Sequence, residues 1–186
     1  MNRESRANKA GVTDKIQPGK NDLRIRDAHS EELDEVSLLI KEAYIDYQHW
    51  FPEERWKLYL EDIMDVRSRL PVSELIVAEL NRRLAGTVTL YLDASSFLRE
   101  QWPEGWAGVR LLAVRPAYRG RGIGRALMEE CICRCRKRNV KTIGLHTAVI
   151  MGAARKLYED MGFVRAPEYD FHPSPGTVVM AYRLQL

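Results

Sequence analysis

The densest chemistry in the sequence lies in one stretch, Leu111-Leu112-Ala113-Val114-Arg115-Pro116-Ala117-Tyr118-Arg119-Gly120-Arg121-Gly122-Ile123-Gly124-Arg125-Ala126-Leu127. An apolar strand ends there, a turn rich in glycine and arginine follows, and an amphipathic helix begins. The first N–H groups of a helix lack intrahelical partners and stand at the positive end of its dipole, so they attract anions. Gly120, Gly122 and Gly124 let the backbone approach a ligand closely. Arg119, Arg121 and Arg125 add charge suited to a pyrophosphate. The run Arg119 to Arg125, with Ile123 as the first apolar residue of the helix, predicts a phosphate cradle. An ordinary strand-to-helix turn with solvated arginines is the plain alternative. Strand, glycine loop and helix in this order favour the cradle.

Two common phosphate motifs do not fit. No Gly-Lys-Ser/Thr follows the loop, as a P-loop needs. The spacing Gly120-x-Gly122-x-Gly124 differs from the dinucleotide fingerprint, and its strand comes late in the chain. A second polar feature lies further on, where Tyr158 sits in a short helical segment ending at Gly162, a natural residue beyond a helix C-terminus.

These residues need a scaffold, and the pattern supplies one. The chain has 186 residues, 45% hydrophobic and 30% charged, with mean hydropathy −0.37, which is ordinary for one globular domain. Residues 1–21 read as a disordered polar leader and residues 22–186 as the domain. The periodicity predicts a strand from Leu23 to Ala28 and a helix capped by Ser30. A second helix is expected from Pro52 to Arg69, then a hairpin of Glu74–Leu80 with Leu84–Leu92. Val109–Val114, a helix over Ile123–Arg138 and Thr142–Ala148 form a strand–helix–strand crossover, which makes those two strands parallel. A helix over Ala153–Met161 and strands over Phe163–Arg165 and Thr177–Leu184 complete a mixed α/β domain.

The formal charge of +3 is too small to argue for nucleic acid or an acidic membrane. No apolar run is long enough to span a bilayer, and residues 1–21 lack the apolar centre of a signal peptide. The expected compartment is the cytoplasm. Cys131, Cys133 and Cys135 are odd in number and fall on one helix, where Cys133 points away from the other two. They read as core residues, with no metal site and no disulfide framework.

The loop closely resembles the central motif of the GCN5-related N-acetyltransferase (GNAT) superfamily, Arg/Gln-x-x-Gly-x-Gly/Ala, met by Arg119, Gly122 and Gly124 after a Leu-Ala-Val strand and a proline. Ala154-x-x-Leu157-Tyr158-x-x-x-Gly162-Phe163 is similar to that family's next helix. The resemblance is specific over about 109–165 and extends in element order over 22–186. It implies a central, mostly antiparallel sheet with one splayed parallel pair and helices on both faces. It also implies acetyl-CoA as cofactor. Pantetheine would bond the backbone of Leu112, Ala113 and Val114, the pyrophosphate would rest on the amides of 119–125, and Ala154 would line the site. Met151 stands where the family often has a cofactor-contacting asparagine.

By the same resemblance, Tyr158 is the general acid for the departing thiolate, and the Val114 N–H polarises the thioester oxygen. The base is open among His146, Glu79, Glu100, Glu104 and water. For the acceptor, Trp102, Trp106 and Tyr91 could wall a pocket, and Glu104, Glu168 and Asp170 could attract a cationic amine, on a small molecule or a peptide. The expected reaction is direct transfer in a ternary complex. A non-catalytic acyl-CoA sensor is the main rival. A nucleic-acid module, using Arg134–Arg138 and the basic leader, is disfavoured by the balanced charge. Terminal strands could also extend a sheet between two copies.

Overall fold

Leu75 and Val77 bury their side chains in one core and Ile76 and Ala78 in another, as the two-residue period of a strand requires. A sheet with an apolar layer on each face must be covered on both, and four helices do this. The computed structural model describes residues 22–96, 102–174 and 177–186. The expected leader and Glu100 lie outside them.

The strands are β1 (Leu23–Asp27), β2 (Glu74–Leu80), β3 (Arg83–Tyr91), β4 (Trp106–Val114), β5 (Thr142–Ala148), β6 (Val164–Arg165), β7 (Phe171–Ser174) and β8 (Thr177–Gln185). They form a single sheet in the order β1-β2-β3-β4-β5-β8-β6, with β7 also on β8. Every pairing is antiparallel except β4–β5. Helices α1 (Leu33–Tyr44) and α2 (Glu53–Met64) cover one face through Val36, Leu39, Ile40, Trp56 and Ile63. Helices α3 (Ile123–Lys137) and α4 (Gly152–Asp160) cover the other through Ile123, Leu127, Met128, Cys131 and Tyr158.

Local chemistry explains most boundaries. Asn81 and Arg82 both take left-handed angles, φ 50° and 63°, which suits the twist of the two-residue β2–β3 turn. Helix α2 stops at Met64 rather than reaching Arg69. The Arg69 guanidinium folds back, 7% exposed, and donates to the carbonyls of Asp62 (2.8 Å) and Ile63 (2.9 Å), satisfying the helix end. At the start of the first helical segment Ser30 donates to Glu31, and Glu32 accepts from the His29 N–H at 2.9 Å, so Ser30 is not the cap. β7 was not expected from the sequence, since its four residues carry Pro173. Strand β8 lies between β5 and the short pair β6 and β7, and β1 forms the opposite edge.

Cys131 and Cys135 are buried and Cys133 half-buried. Among the described residues, no helix is long and apolar enough to cross a membrane.

Helix α3 sits close on the sheet because Gly86 of β3 has no side chain. A Cβ there would stand 2.9 Å from the Ala113 carbonyl oxygen, 3.0 Å from the Ile123 side chain and 3.1 Å from that of Leu127. We expect Gly86→Ala to destabilise the fold by about 1–3 kcal/mol through overpacking, lowering the thermal midpoint by roughly 3–10 °C. An unchanged melting curve would show that helix and strand separate at little cost.

Candidate active site

β4 and β5 pair only at their first four registers, Trp106↔Thr142 to Val109↔Leu145. Both strands then continue, β4 to Val114 and β5 to Ala148, without pairing to each other. The parting opens a cleft of about 450 Å³ between two segments of extended backbone. Backbone N–H and C=O groups there need partners.

The parting coincides with a bulge. Along β3–β4 the register passes from Thr87↔Ala113 to Thr89↔Arg110, so Leu111 and Leu112 together face Val88. Leu111 has φ 54°, a left-handed angle that costs a branched side chain of order 1–3 kcal/mol. Its side chain is 8% exposed and anchored in the α1–α2 core, which holds the bulge in place. Such a bulge leaves a residue out of the ladder and re-aims its neighbours. No sequence signal marks it, because the residue in the left-handed region is not glycine.

At the open end stands the glycine loop. Gly120 and Gly122 have φ 73° and 78°, and Gly122 caps α3, its carbonyl accepting from Ala126 N–H at 3.0 Å. A Cβ added at either glycine would meet no heavy atom within 4 Å, so the backbone borders open space. Gly124 has another role, since a Cβ there would lie 3.3 Å from Leu157 of α4. Leu112, Ala113, Val114, Arg119, Gly120, Gly122, Ile123, Gly124 and Arg125 all line the cleft, as do Met151 and Ala154.

The arginines differ in placement. Arg119 donates to Asp46 (2.8 Å), to the Ala43 carbonyl (2.8 Å) and to the Val114 carbonyl (3.3 Å). It ties the loop to the end of α1 and the 3-10 segment Ile45–Trp50. Arg121 leans over the Tyr118 ring, 5.7 Å from its centroid, and does not line the cleft. Arg125 is exposed at the cleft wall.

Tyr158 lines the cleft from α4 and is 6% exposed. Burial pushes its phenol well above the usual tyrosine range. Tyr44, Tyr47 and Arg110 line the cleft near α1 and were missed by the sequence reading. Burial likewise raises the Tyr44 phenol and pushes that of Tyr59, 6.3 Å away between ring centroids, up to about 12. Arg110 faces Asp62 at 3.6 Å. Nothing in the spacing of Tyr44, Tyr47 and Arg110 in the sequence points to a cleft.

Of the expected acceptor residues, His146 lines the cleft, and Trp102, Trp106, Glu104, Glu168 and Asp170 do not. His146 Nε2 lies 2.8 Å from the Tyr169 carbonyl, which can only accept, so this nitrogen carries the proton. Trp102 is 5% exposed and packs on Trp106, Tyr169 and the His146 ring, 4.5 Å between centroids in the last case. It lies flat on Gly144, where a Cβ would come within 2.8 Å of the indole. Glu168 pairs with Arg183 at 3.1 Å, and Asp170 grips Arg165 through both oxygens at 2.8–2.9 Å. Arg165 holds the Asp170 carboxyl below the usual carboxylate range. Both acids therefore hold the β6–β8 region together. Glu104 is exposed in the turn before β4, Tyr91 is buried in β3, and Glu79 bonds Arg26 at 2.7 Å.

Comparison with known proteins follows the same lines. The chain is 44% identical over 55 residues to the ribosomal protein bS18-alanine N-acetyltransferase of Escherichia coli K12, covering 30% of this chain and 37% of that protein. It is 42% identical over 57 residues to N-alpha-acetyltransferase 30 of Saccharomyces cerevisiae, covering 31% and 32%. The chain thus spans about a third of the length of the curated relatives it matches. Its fold is that of the PaiA N-acetyltransferase of Thermoplasma acidophilum, solved with coenzyme A, at TM-score 0.67 and 17% identity over 87% of this chain and 99% of that one. The Escherichia coli ribosomal-protein-S18-alanine N-acetyltransferase aligns at TM-score 0.60 and 22% identity, covering 88% and 93%. The profile of the acetyltransferase (GNAT) family matches residues 36–163, from α1 through α4 to Phe163. Holding that profile over more than half its length, the chain belongs to the acetyltransferase (GNAT) family, whose co-substrate is acetyl-CoA.

Proposed function

We propose that the chain transfers an acetyl group from acetyl-CoA directly to a primary amine, on a small molecule or a peptide, in one ternary complex. The observation that carries this reading is the parting of β4 from β5 beyond Val109 and Leu145, with a glycine loop at the open end and Tyr158 on the wall. Coenzyme A suits these residues. The unpaired edge of Leu112, Ala113 and Val114 offers an amide-bearing arm a strand to bond to. The amides around Gly120 and Gly122, with Arg125 beside them, suit a pyrophosphate.

Coenzyme A supplies the acyl group as a thioester, and the protein has three tasks. The first is to polarise the thioester oxygen, a role suited to a backbone N–H on the cleft-facing edge of β4 beside the bulge. The second is to protonate the sulfur as the carbon–sulfur bond breaks. Tyr158 suits this, because it stands on the cleft wall and burial keeps its phenol protonated at neutral pH, so it has a proton to give. The third is to accept a proton from the amine, whose reference pKa is about 10.4. That proton passes to water or to His146 on the cleft wall. Direct attack is favoured over an acetyl-cysteine route because none of Cys131, Cys133 and Cys135 lines the cleft, and burial raises the thiols of Cys131 and Cys135.

One named relative is an N-alpha-acetyltransferase and another acetylates an alanine of ribosomal protein bS18, which supports a peptide amine as one acceptor class.

Two measurements test the reading. In calorimetric titration the protein should bind acetyl-CoA, and Gly122→Glu should weaken binding by at least about a hundredfold, by setting a carboxylate in the pyrophosphate cradle. No binding by the parent protein would sink the donor assignment. Tyr158→Phe should lower kcat on a competent amine by about a hundredfold while leaving KM for acetyl-CoA within about twofold. Full turnover by that variant would remove the acid role. Tight binding with no turnover across small amines and peptides would favour the sensor instead.

A further inference from the structure

Thr147 is 3% exposed, and its hydroxyl is shut away from water with no hydrogen-bond partner among the described residues. A buried hydroxyl in that state costs on the order of 1–3 kcal/mol, so it calls for an explanation. Two other buried threonines are bonded. The Thr87 hydroxyl donates to the Ile76 carbonyl at 2.9 Å, and that of Thr142 lies 3.1 Å from Gln185. The Thr89 hydroxyl also lacks a partner, but Thr89 does not line the cleft. Thr147 does.

Its position is informative. Thr147 lies two residues beyond Leu145, the last β5 residue paired with β4, so continuing the register sets it level with Leu111 at the bulge. This is the narrow end of the wedge. The glycine loop, which takes the phosphates in the reading above, follows the far end of β4. A donor lying along the wedge with its phosphates at the loop brings its acyl end to the level of Thr147. Contact with a ligand then requires a rotation about χ1 that brings the hydroxyl to the gap, a change between staggered positions.

We propose that the Thr147 hydroxyl is a contact of the acyl thioester, hydrogen-bonded only when acyl-CoA fills the cleft. The inference rests on the acetyltransferase reading. It differs from a packing role in the sign of one effect. Were Thr147 only a strand-forming core residue, its hydroxyl would matter equally with and without ligand. As a contact left unpaired in the empty protein, it is neutral or unfavourable there and favourable only in the complex.

The test is calorimetric titration of acetyl-CoA and of coenzyme A into the parent protein, Thr147→Val and Thr147→Ser, with thermal melts of each empty protein. Valine keeps the branched shape and removes the hydroxyl. It should leave the midpoint of the empty protein unchanged or higher, weaken acetyl-CoA by about three- to tenfold, the share of one hydrogen bond, and leave coenzyme A within about twofold. Serine should restore the acetyl-CoA affinity. Parent-like acetyl-CoA binding by Thr147→Val, an equal loss for both ligands, or a lowered midpoint of the empty protein would each overturn the assignment. If the parent protein binds neither ligand, the acetyltransferase reading itself fails, and this inference with it.

Discussion

Everything at the site depends on a hydrogen-bond ladder that is left unfinished. Parallel strands are normally stitched along their shared length, and an unstitched pair in a sheet interior leaves polar backbone groups exposed to each other across a gap. Here β4 and β5 stay in register for four residues and then part, while each remains paired on its outer side, β4 with β3 and β5 with β8. The outer pairings hold the wedge open, since neither strand can swing across to close it without breaking them. Leu111 is anchored on one face of β4 and Leu112 on the other, so the bulge is fixed by both cores.

The helices follow from that wedge. α3 begins at its open end because the chain must turn from β4 back over the sheet, and Gly86 lets the helix sit close enough to bury Ile123 and Leu127. α4 leaves the end of β5 and carries Tyr158 to the wall, with Leu157 against Gly124 fixing one helix on the other. On the opposite face, Arg119 joins the loop to Asp46 and Ala43 at the end of α1. Arg115, just before the loop, adds ion pairs to Glu35 and Glu42 of the same helix.

Much of this was readable in the sequence where the signal was local. The glycine loop, the α3 periodicity, the limits of Thr142–Ala148 and the crossover that makes β4 and β5 parallel follow from patterns in one continuous stretch of chain. The partners of the charged residues were not readable. Arg119 lines the cleft as expected of a loop residue, but its bonds to residues 73 and 76 positions away carried no mark in the sequence. Glu168 and Asp170 were expected to attract an amine, yet they balance Arg183 and Arg165. A charge in a sequence carries no mark of whether a neighbour in space neutralises it. Tyr44, Tyr47 and Arg110 were missed for the related reason that α1 and β4 meet only in the folded chain.

The wedge also bears on how such a chain can change over generations. It offers N–H and C=O groups that every residue except proline carries, so a ligand held on them makes little demand on which side chains stand there. Leu112, Ala113 and Val114 are free to vary as far as the packing on each face permits. What cannot drift is the geometry of the parting itself. A fold shared at 17–22% identity with TM-scores of 0.60–0.67 has that character, with shape retained while most of the letters have been exchanged.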